Sequence, residues 1–292
     1  MERVVTSNDE TTEAWNGVLF DRFVQYREIV TAGLGAHGEE ALRLNRPRAG
    51  DRVLDIGCGF GDTTQRLAGF VGDSGSAMGV DVAERFIGTA RAEAVEAGVD
   101  NVRFMAADVE ATEFEDSFDY AFSRMGVMFF ANPVAALRNV RRALVPGGRL
   151  CVVVWRSKLA NDWMHRAELV VEQYVTEPEE TDEPTCGPGP FSMANADTVS
   201  DILIHAGFED IALRRCDIEI VVGADLDAAV EFAMALGPAG EVIRLAGDEA
   251  ERIRPQITAA LGEAMAEFAH PDGVRAPAST WIITATVPAE PS

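Results

Sequence analysis

Three glycines at alternate positions, Gly57, Gly59 and Gly61, follow the apolar run that begins at Val53 in the stretch VLDIGCGFGDTT. A glycine-rich turn after a strand is typical of a nucleotide-binding site. The dinucleotide fingerprint G-x-G-x-x-G would place its third glycine at position 62, where this sequence has Asp62. A carboxylate in the first helical turn repels a pyrophosphate. The spacing therefore argues against NAD or FAD.

Two further acids follow predicted strands. Asp81 ends the second strand, where a carboxylate can accept hydrogen bonds from both hydroxyls of a ribose, and Asp108 ends the third, where it can accept one from an adenine amino group. The carboxyl ends of neighbouring parallel strands form the ligand-binding edge of an open α/β sheet. Acids and glycine turn together predict an adenosine ligand without phosphate, such as S-adenosylmethionine. An NAD(P)-dependent oxidoreductase and a non-catalytic S-adenosylmethionine-binding protein remain as alternatives.

The elements that must position these residues alternate between strand and helix from residue 51 to 155. The strand-like runs are RVLDIGC, AMGVDV, VRFMAAD, FDYAFSR and RLCVVVW, and the helical stretches are DTTQRLAGF, AERFIGTARAEAVEAG and PVAALRNVRRALVPGG. Nearly continuous apolar runs predict strands that are covered on both faces. Strand and helix in alternation predict βαβ units and a parallel sheet. The predicted fold class is therefore α/β and Rossmann-like, with helices on both faces of the sheet.

The chain resembles the class I S-adenosylmethionine-dependent methyltransferases, and within them the small-molecule branch that includes the ubiquinone and menaquinone biosynthesis methyltransferases. The stretches that carry the resemblance are VLDIGCGFGDTT, GVDVAERFI, AADVE, FDYAFSRMGVMFF and LRNVRRALVPGGRL. Weaker similarity extends to AWNG, NDWM and PDGVRAPASTW. The resemblance implies S-adenosyl-L-methionine as the cofactor and a seven-stranded sheet whose last strand is antiparallel.

The resemblance also implies which residues lie against the cofactor. They are Asp55, Gly57, Cys58, Gly59 and Gly61 at the glycine turn, Asp81 and Val82 at the ribose, Ala107, Asp108 and Val109 at the adenine, and Ser123 and Arg124 at the methionine end. Trp15 and Asn16, in AWNG, are expected to contact cofactor or substrate, or to pack a lid.

The remaining segments predict helical lids over the binding edge. Residues 1–47 form an N-terminal helical cap, and residues 48–222 with 274–288 form the cofactor-binding core, which includes a lid segment at 156–192. Residues 223–273 form a helical insertion over the site, in which Pro255 marks a boundary or a kink. A roofed, aromatic-lined cavity suits a small apolar or amphipathic acceptor.

No residue stands out as the catalytic base. Methyl transfer depends mainly on positioning, and a base is needed only where the nucleophile must lose a proton. His165, in NDWM-H, is a weak base candidate, and Arg124 is a weak candidate for attracting a carboxylate or phenolate. His37 and His270, in loops flanked by glycine or proline, are expected to be solvated. The expected reaction is methylation of oxygen or carbon of a small organic molecule.

Composition limits the partners. The formal net charge of −23 disfavours nucleic acids and anionic membrane surfaces. The four cysteines include no C-x-x-C pair, so a reducing setting is expected in preference to a disulfide framework. Cys186 stands alone in an acidic loop, which disfavours a soft-metalloid substrate, and no metal site is expected. Without a signal core or membrane-length apolar run, the chain is expected to be cytoplasmic, with homo-oligomerisation possible.

Overall fold

The computed structural model describes residues 7–175 and 187–289. Within them one sheet contains eight strands: β1 (Arg52–Ile56), β2 (Ser76–Asp81), β3 (Val102–Ala106), β4 (Phe118–Arg124), β5 (Leu144–Trp155), β6 (Glu209–Gly223), β7 (Ala269–His270) and β8 (Gly273–Thr286). Seven of them follow the order β3-β2-β1-β4-β5-β8-β6, and the two-residue β7 pairs with β8 alone. Strands β1 to β5 are parallel, while β8 runs antiparallel to both β5 and β6. The predicted α/β fold with an antiparallel last strand is confirmed; the short β7 is the addition.

Helices surround the sheet. They are α1 (Ser7–Asn16), α2 (Val18–Gln25), α3 (Gly35–Asn45), α4 (Asp62–Val71), α5 (Glu84–Glu96), α6 (Pro133–Ala143), α7 (Asp162–Val171), α8 (Ala196–Ala206), α9 (Leu226–Ala235), α10 (Gly237–Ala246) and α11 (Asp248–Met265). A π-helical turn covers Ile29–Gly33, and short 3₁₀ turns cover Val127–Phe129, Lys158–Ala160 and Ala266–Phe268.

Local sequence explains where the helices beside the binding edge begin. Gly61 has φ of 77°, and a β-carbon there would lie 2.7 Å from the Phe104 ring, so only glycine fits immediately before α4. Pro133 occupies the first turn of α6, and the Asn132 side chain caps that helix by accepting the Ala135 N–H at 3.0 Å.

The register of the strands places the turns after β1, β2 and β3 at the same edge of the sheet. Ile56 pairs with Val80 and Asp81 pairs with Ala106, so β1, β2 and β3 end at one edge of the sheet. The glycine turn therefore lies beside the carboxyl end of β2, as the sequence predicts.

An aromatic cluster attaches the N-terminal helices to this edge. Phe20 of α2 contacts Phe86 of α5 with ring centroids 4.9 Å apart, and Phe60 of the glycine turn lies 4.9 Å from the same Phe86 ring. Arg27 stacks on Phe60 at 4.2 Å and also pairs with Glu93. Trp15 of α1 packs against the same cluster, so burial of these rings holds α1 and α2 over the binding edge.

Three expectations need correction or placement. Pro255 lies inside α11, which continues across it, so Pro255 marks no helix boundary, and the boundary falls at Gly247 instead. A kink at Pro255 stays a prediction. Strand β5 already begins at Leu144, five residues before the predicted RLCVVVW run. Cys186 and the acidic loop around it lie outside the described residues.

Residues 223–273 hold α9, α10 and α11, and α7 packs against the last two. The division of the chain into cap, core and insertion stays a prediction. Among residues 7–175 and 187–289, no helix is both long and apolar enough to cross a bilayer.

Candidate active site

A cavity of about 710 Å³ runs along the carboxyl ends of β1 to β5, below α1, α2, α7, α9 and α10. We distinguish two parts of it. The glycine-turn end is lined by Gly57, Gly59, Asp81, Val82 and Asp108. The ion-pair end is lined by Trp155, Lys158, Trp163 and Glu168. Arg124 and Met125, at the end of β4, lie between the two ends in the strand order.

The glycine turn is held tightly by its neighbours. Gly57 N–H and Cys58 N–H both donate to the Val80 carbonyl, at 2.8 and 3.1 Å. A β-carbon on Gly57 would lie 2.8 Å from the α-carbon of Gly126, whereas one on Gly59 would meet nothing within 4 Å. Gly57 therefore packs against the turn after β4, and Gly59 leaves room on the cavity wall for a ligand.

Asp81 combines a structural role with free acceptor capacity. Its two carboxylate oxygens accept the N–H groups of Gly59 and Ala83, at 2.9 and 3.0 Å. Burial raises the pKa of Asp81, and these N–H bonds oppose that shift. A carboxylate has about four acceptor sites, so Asp81 keeps acceptor capacity for ribose hydroxyls.

Asp108 and its neighbours line the adjacent part of the cavity, at the end of β3. The Asp108 side chain accepts the Glu110 N–H at 2.8 Å, which fixes its orientation. Val82, Ala107 and Val109 line the same region, so the expected adenine neighbours are brought together. The lining of this end fits adenosine, because it combines two carboxylate acceptors with small apolar side chains. Asp62 lies where a pyrophosphate would require a positive field.

Three of the expected cofactor residues do not line the cavity. Gly61 faces the Phe104 ring, and the side chains of Asp55 and Ser123 lie beneath the cavity floor. Asp55 is 1% exposed and accepts a hydrogen bond from the Thr64 hydroxyl at 2.6 Å. Burial raises the pKa of Asp55 to about 7, against the lowering effect of the Thr64 bond. Ser123 is fully buried and donates to the Ile56 carbonyl at 2.7 Å. Both side chains brace the turns that line the site, and neither lines the cavity.

Arg124 is paired. Its guanidinium donates to Asp62 at 2.8 Å, with 14% of the Arg124 side chain and 34% of the Asp62 side chain exposed. Gly38 makes room for it, since a β-carbon there would lie 2.9 Å from Arg124 Cδ. Met125, the next residue, has φ of 60°, a conformation that side chains rarely adopt. This strained corner lines the cavity between its two ends.

The two residues of α1 that were expected at the site, Trp15 and Asn16, have different roles. Trp15 lines the cavity and packs edge-on against Phe129 at 5.0 Å. Asn16 does not line it: its side chain accepts the Arg85 N–H at 3.2 Å and donates to the Thr12 carbonyl. Asn16 thus attaches α1 to α5, and the expectation of a direct ligand contact applies to Trp15 alone.

The histidine expectations need revision. His165 lies on α7 but does not line the cavity. Its Nδ1 is 3.9 Å from an oxygen of Glu168, and Glu168 does line the cavity. His37 is fully buried in α3, with Nε2 3.3 Å from the Ala278 carbonyl, so the expectation of a solvated loop is wrong. Burial lowers the pKa of His37. His270 is exposed in β7.

Sequence reasoning missed the charged residues of the ion-pair end. Lys158 Nζ donates to both carboxylate oxygens of Glu168, at 2.6 and 2.7 Å. Arg22 of α2 also lines the cavity, donating to the Ala235 carbonyl at 2.8 Å. One signal was available: Lys158 is the only lysine in the 292 residues, in a chain that otherwise uses arginine.

Comparison with known proteins agrees with this geometry. Residues 47–196, just over half of the chain, match the family model described as a methyltransferase domain. The ubiquinone/menaquinone biosynthesis C-methyltransferase UbiE of Pseudomonas fluorescens is 38% identical over 129 residues, which are 44% of this chain and 50% of that protein. The aklanonic acid methyltransferase DauC of a Streptomyces strain is 38% identical over 114 residues, 39% of this chain and 52% of that protein. The chain thus spans about half the length of the curated relatives it matches.

Among solved structures, phosphoethanolamine N-methyltransferase 2 of Haemonchus contortus, in complex with phosphomonomethylethanolamine and S-adenosylhomocysteine, has a similar fold. The TM-score is 0.57 at 17% identity, covering 99% of this chain and 61% of that one. With the sheet order, the glycine turn and the matched domain in agreement, this chain belongs to the methyltransferase domain family.

Proposed function

We propose that the chain transfers a methyl group from S-adenosyl-L-methionine to an oxygen or carbon of a small organic acceptor. The observation that carries the proposal is the glycine-turn end of the cavity. There Asp81 and Asp108 follow adjacent strands beside a glycine turn that has an acid, Asp62, where phosphate would bind.

Different residues of this end contact different parts of the cofactor. Asp81 accepts from the ribose hydroxyls, and Asp108 accepts from the adenine amino group beside Val82, Ala107 and Val109. Arg124, at the end of β4, supplies positive charge for the carboxylate of the methionine part, and Asp62 keeps its guanidinium in place. S-adenosyl-L-methionine supplies the electrophilic methyl group when it is bound.

The continuity of the cavity supports transfer to a second molecule. Neighbouring strands lie about 4.8 Å apart, so the space at the end of β5 begins about two strand spacings beyond the glycine turn after β1. An in-line displacement requires the acceptor to attack the methyl carbon from the side opposite the sulfur, and the ion-pair end offers space for an acceptor beyond the cofactor contacts. The chain's main contribution is alignment and exclusion of water by apolar walls such as Trp15, Phe129 and Trp163.

The relatives support a small-molecule acceptor. UbiE is named as a C-methyltransferase of quinone biosynthesis and DauC as a methyltransferase of aklanonic acid. The Haemonchus enzyme binds S-adenosylhomocysteine. These relatives give no support to an NAD(P)-dependent oxidoreductase.

Calorimetry and a transfer assay test the proposal. S-adenosylhomocysteine is expected to bind and to raise the melting temperature, whereas NADH does neither. Transfer of labelled methyl from S-adenosyl-L-methionine to members of a panel of hydroxylated aromatic molecules is then expected. Stabilisation by NADH and not by S-adenosylhomocysteine contradicts the proposal, and cofactor binding without transfer to any acceptor favours a non-catalytic binding protein.

A further inference from the structure

The ion-pair end holds a lysine–carboxylate pair that the cofactor contacts do not use. Lys158 comes from the 3₁₀ turn after β5 and Glu168 from α7, and both side chains line the cavity. Glu168 is only 8% exposed as a residue, while 42% of the Lys158 side chain is exposed. A carboxylate buried to this extent needs a partner, and both of its oxygens are bonded to Lys158.

The pair retains hydrogen-bonding capacity toward the cavity. An ammonium group has three donors and a carboxylate has about four acceptor sites. The two bonds between Lys158 and Glu168 leave one donor on the lysine and lone pairs on the glutamate. The wall therefore presents a donor and an acceptor side by side, beside the apolar side chains of Trp155, Met128 and Trp163.

A hydroxyl group matches this arrangement, because it donates one hydrogen bond and accepts others through the same oxygen. A carboxylate only accepts, and would meet the negative charge of Glu168. An alkylammonium only donates, and would meet the positive charge of Lys158. The apolar walls around the pair favour a hydroxyl on an aromatic or enolic skeleton.

We propose that the Lys158–Glu168 pair binds the hydroxyl of a phenolic or enolic acceptor and that Glu168 is the catalytic base; this rests on the proposed function. As the bond from the acceptor's oxygen or ring carbon to the methyl forms, the sulfur–methyl bond breaks and its electron pair stays on sulfur. For oxygen methylation, the hydroxyl proton passes to a carboxylate oxygen of Glu168. For carbon methylation, the same proton transfer gives an oxyanion that directs electron density to the ring carbon. The proton on that carbon then passes to solvent while the oxygen takes its proton back from Glu168, which restores the phenol and the carboxylate.

Because Glu168 is a carboxylate, it can act as a base only toward acceptors whose hydroxyl is relatively acidic. A carboxylate is a far weaker base than a phenolate, which leaves a gap in basicity between Glu168 and the acceptor oxygen. The donor of Lys158 lowers this gap by stabilising the developing oxyanion. Simple alcohols, which are far less acidic than phenols, are not activated by this pair.

Binding of a coloured phenolate tests the recognition step. The probe is 4-nitrophenolate, at a pH where it is fully ionised, in the presence of saturating S-adenosylhomocysteine, and its neutral ether 4-nitroanisole is the matched probe. Lys158→Met is expected to weaken phenolate binding about tenfold, because it removes the cation. Glu168→Gln is expected to tighten it several-fold, because it removes the opposing charge. Neither variant changes 4-nitroanisole binding by more than about twofold.

Variants on the same elements control for folding. Lys158→Arg keeps the charge and retains most of the phenolate affinity. His165→Gln changes a residue near the same carboxylate but outside the cavity lining, and leaves binding of both probes unchanged. If Lys158→Met and Glu168→Gln alter both probes equally, the pair is only structural and the inference is wrong.

Transfer to a series of phenols tests the base. Wild-type protein is expected to methylate phenols over a range of acidity, while Glu168→Gln retains transfer only to the most acidic ones. Equal rates for both proteins across the series, or transfer to amines and not to phenols, overturn the inference. Cofactor binding and transfer to such other acceptors would still support the proposed function, whereas failure to bind S-adenosylhomocysteine contradicts that function itself.

Discussion

The two ends of the cavity are built differently. At the glycine-turn end, the ligand-facing groups follow three successive strands, and backbone N–H groups fix the carboxylates of Asp81 and Asp108. At the ion-pair end, the defining residues come from the turn after β5 and from α7, and side chains fix one another, as Lys158 fixes Glu168. The first end depends on the geometry of the sheet, while the second depends on how α7, α9 and α10 pack. The difference indicates that cofactor binding and acceptor choice can vary separately.

The largest expected effect is at the glycine-turn end. Asp81→Ala removes the acceptor for both ribose hydroxyls and lowers the affinity for S-adenosylhomocysteine by at least about 100-fold, since each hydrogen bond to a charged group contributes about 1.5–3 kcal/mol. Isothermal titration calorimetry measures it. Asp100→Ala, at an exposed turn before β3 on the opposite edge, is the control. A folded Asp81→Ala protein with wild-type affinity contradicts the ribose assignment.

The floor of this end is expected to make stability depend on pH. The pKa of Asp55 is about 7 in the folded protein against an ordinary value of 3.8, so the folded state binds its proton more tightly. This contribution to stability is fully present below pH 3.8 and is lost as pH rises toward 7.

Asp55→Asn stays neutral at every pH and can still accept the hydrogen bond from Thr64. The variant is therefore expected to keep the stability that the wild-type protein loses as pH rises toward 7. Urea unfolding at pH 8 is expected to show the variant more stable by roughly 2 kcal/mol, below the about 4 kcal/mol that three pKa units would give. At pH 4 the difference largely disappears. A variant that is less stable than wild type at pH 8 would show that the ionised carboxylate is favoured in the fold.

Arg124 separates the two ends and gives a smaller effect. Arg124→Met is expected to weaken binding of S-adenosylhomocysteine about tenfold, because the carboxylate of the methionine part loses its cation. Binding of 5′-methylthioadenosine, which lacks that carboxylate, changes less than twofold. The pair of titrations distinguishes loss of a charge contact from collapse of the site, since collapse weakens both ligands.

The smallest expected effect is at the ion-pair end. Trp163 lines the cavity and stacks on Phe232 at 6.1 Å, and its buried indole N–H has no hydrogen-bond partner among the described residues. Trp163→Phe loses apolar contact but also removes an unpaired donor. The free energy of unfolding is therefore expected to change by less than about 1 kcal/mol, and the affinity for S-adenosylhomocysteine by less than twofold. A large loss of cofactor affinity would show that the two ends are coupled.

This contrast explains what the sequence could predict. The glycine spacing, Asp62, Asp81 and Asp108 lie in short motifs at strand ends, so their positions follow once the parallel sheet is recognised. The same reasoning grouped Asp55 and Ser123 with the ligand contacts, because sequence spacing does not tell which face of a turn a side chain occupies. Both side chains point beneath the cavity and hold its floor.

The ion-pair end was not predictable in this way. Lys158 and Glu168 are ten residues apart, on a 3₁₀ turn and on α7, and their pairing exists only after the turn between them has folded. The sequence pointed to His165, one helical turn from Glu168, but that imidazole does not line the cavity. His37 shows the same limit, since its burial comes from contact of α3 with β8, far along the chain.

The position of Lys158 has a practical consequence. Because it is the only lysine in these 292 residues, amine-directed reagents have one side-chain target, and that target lies on the cavity wall. The N-terminal amine, with an ordinary pKa of about 7.7–8.0 against about 10.4 for lysine, can be acylated first at lower pH. A fluorophore or isotope label attached afterwards reports on one place, and the rate of its attachment measures how fully a small molecule shields that wall.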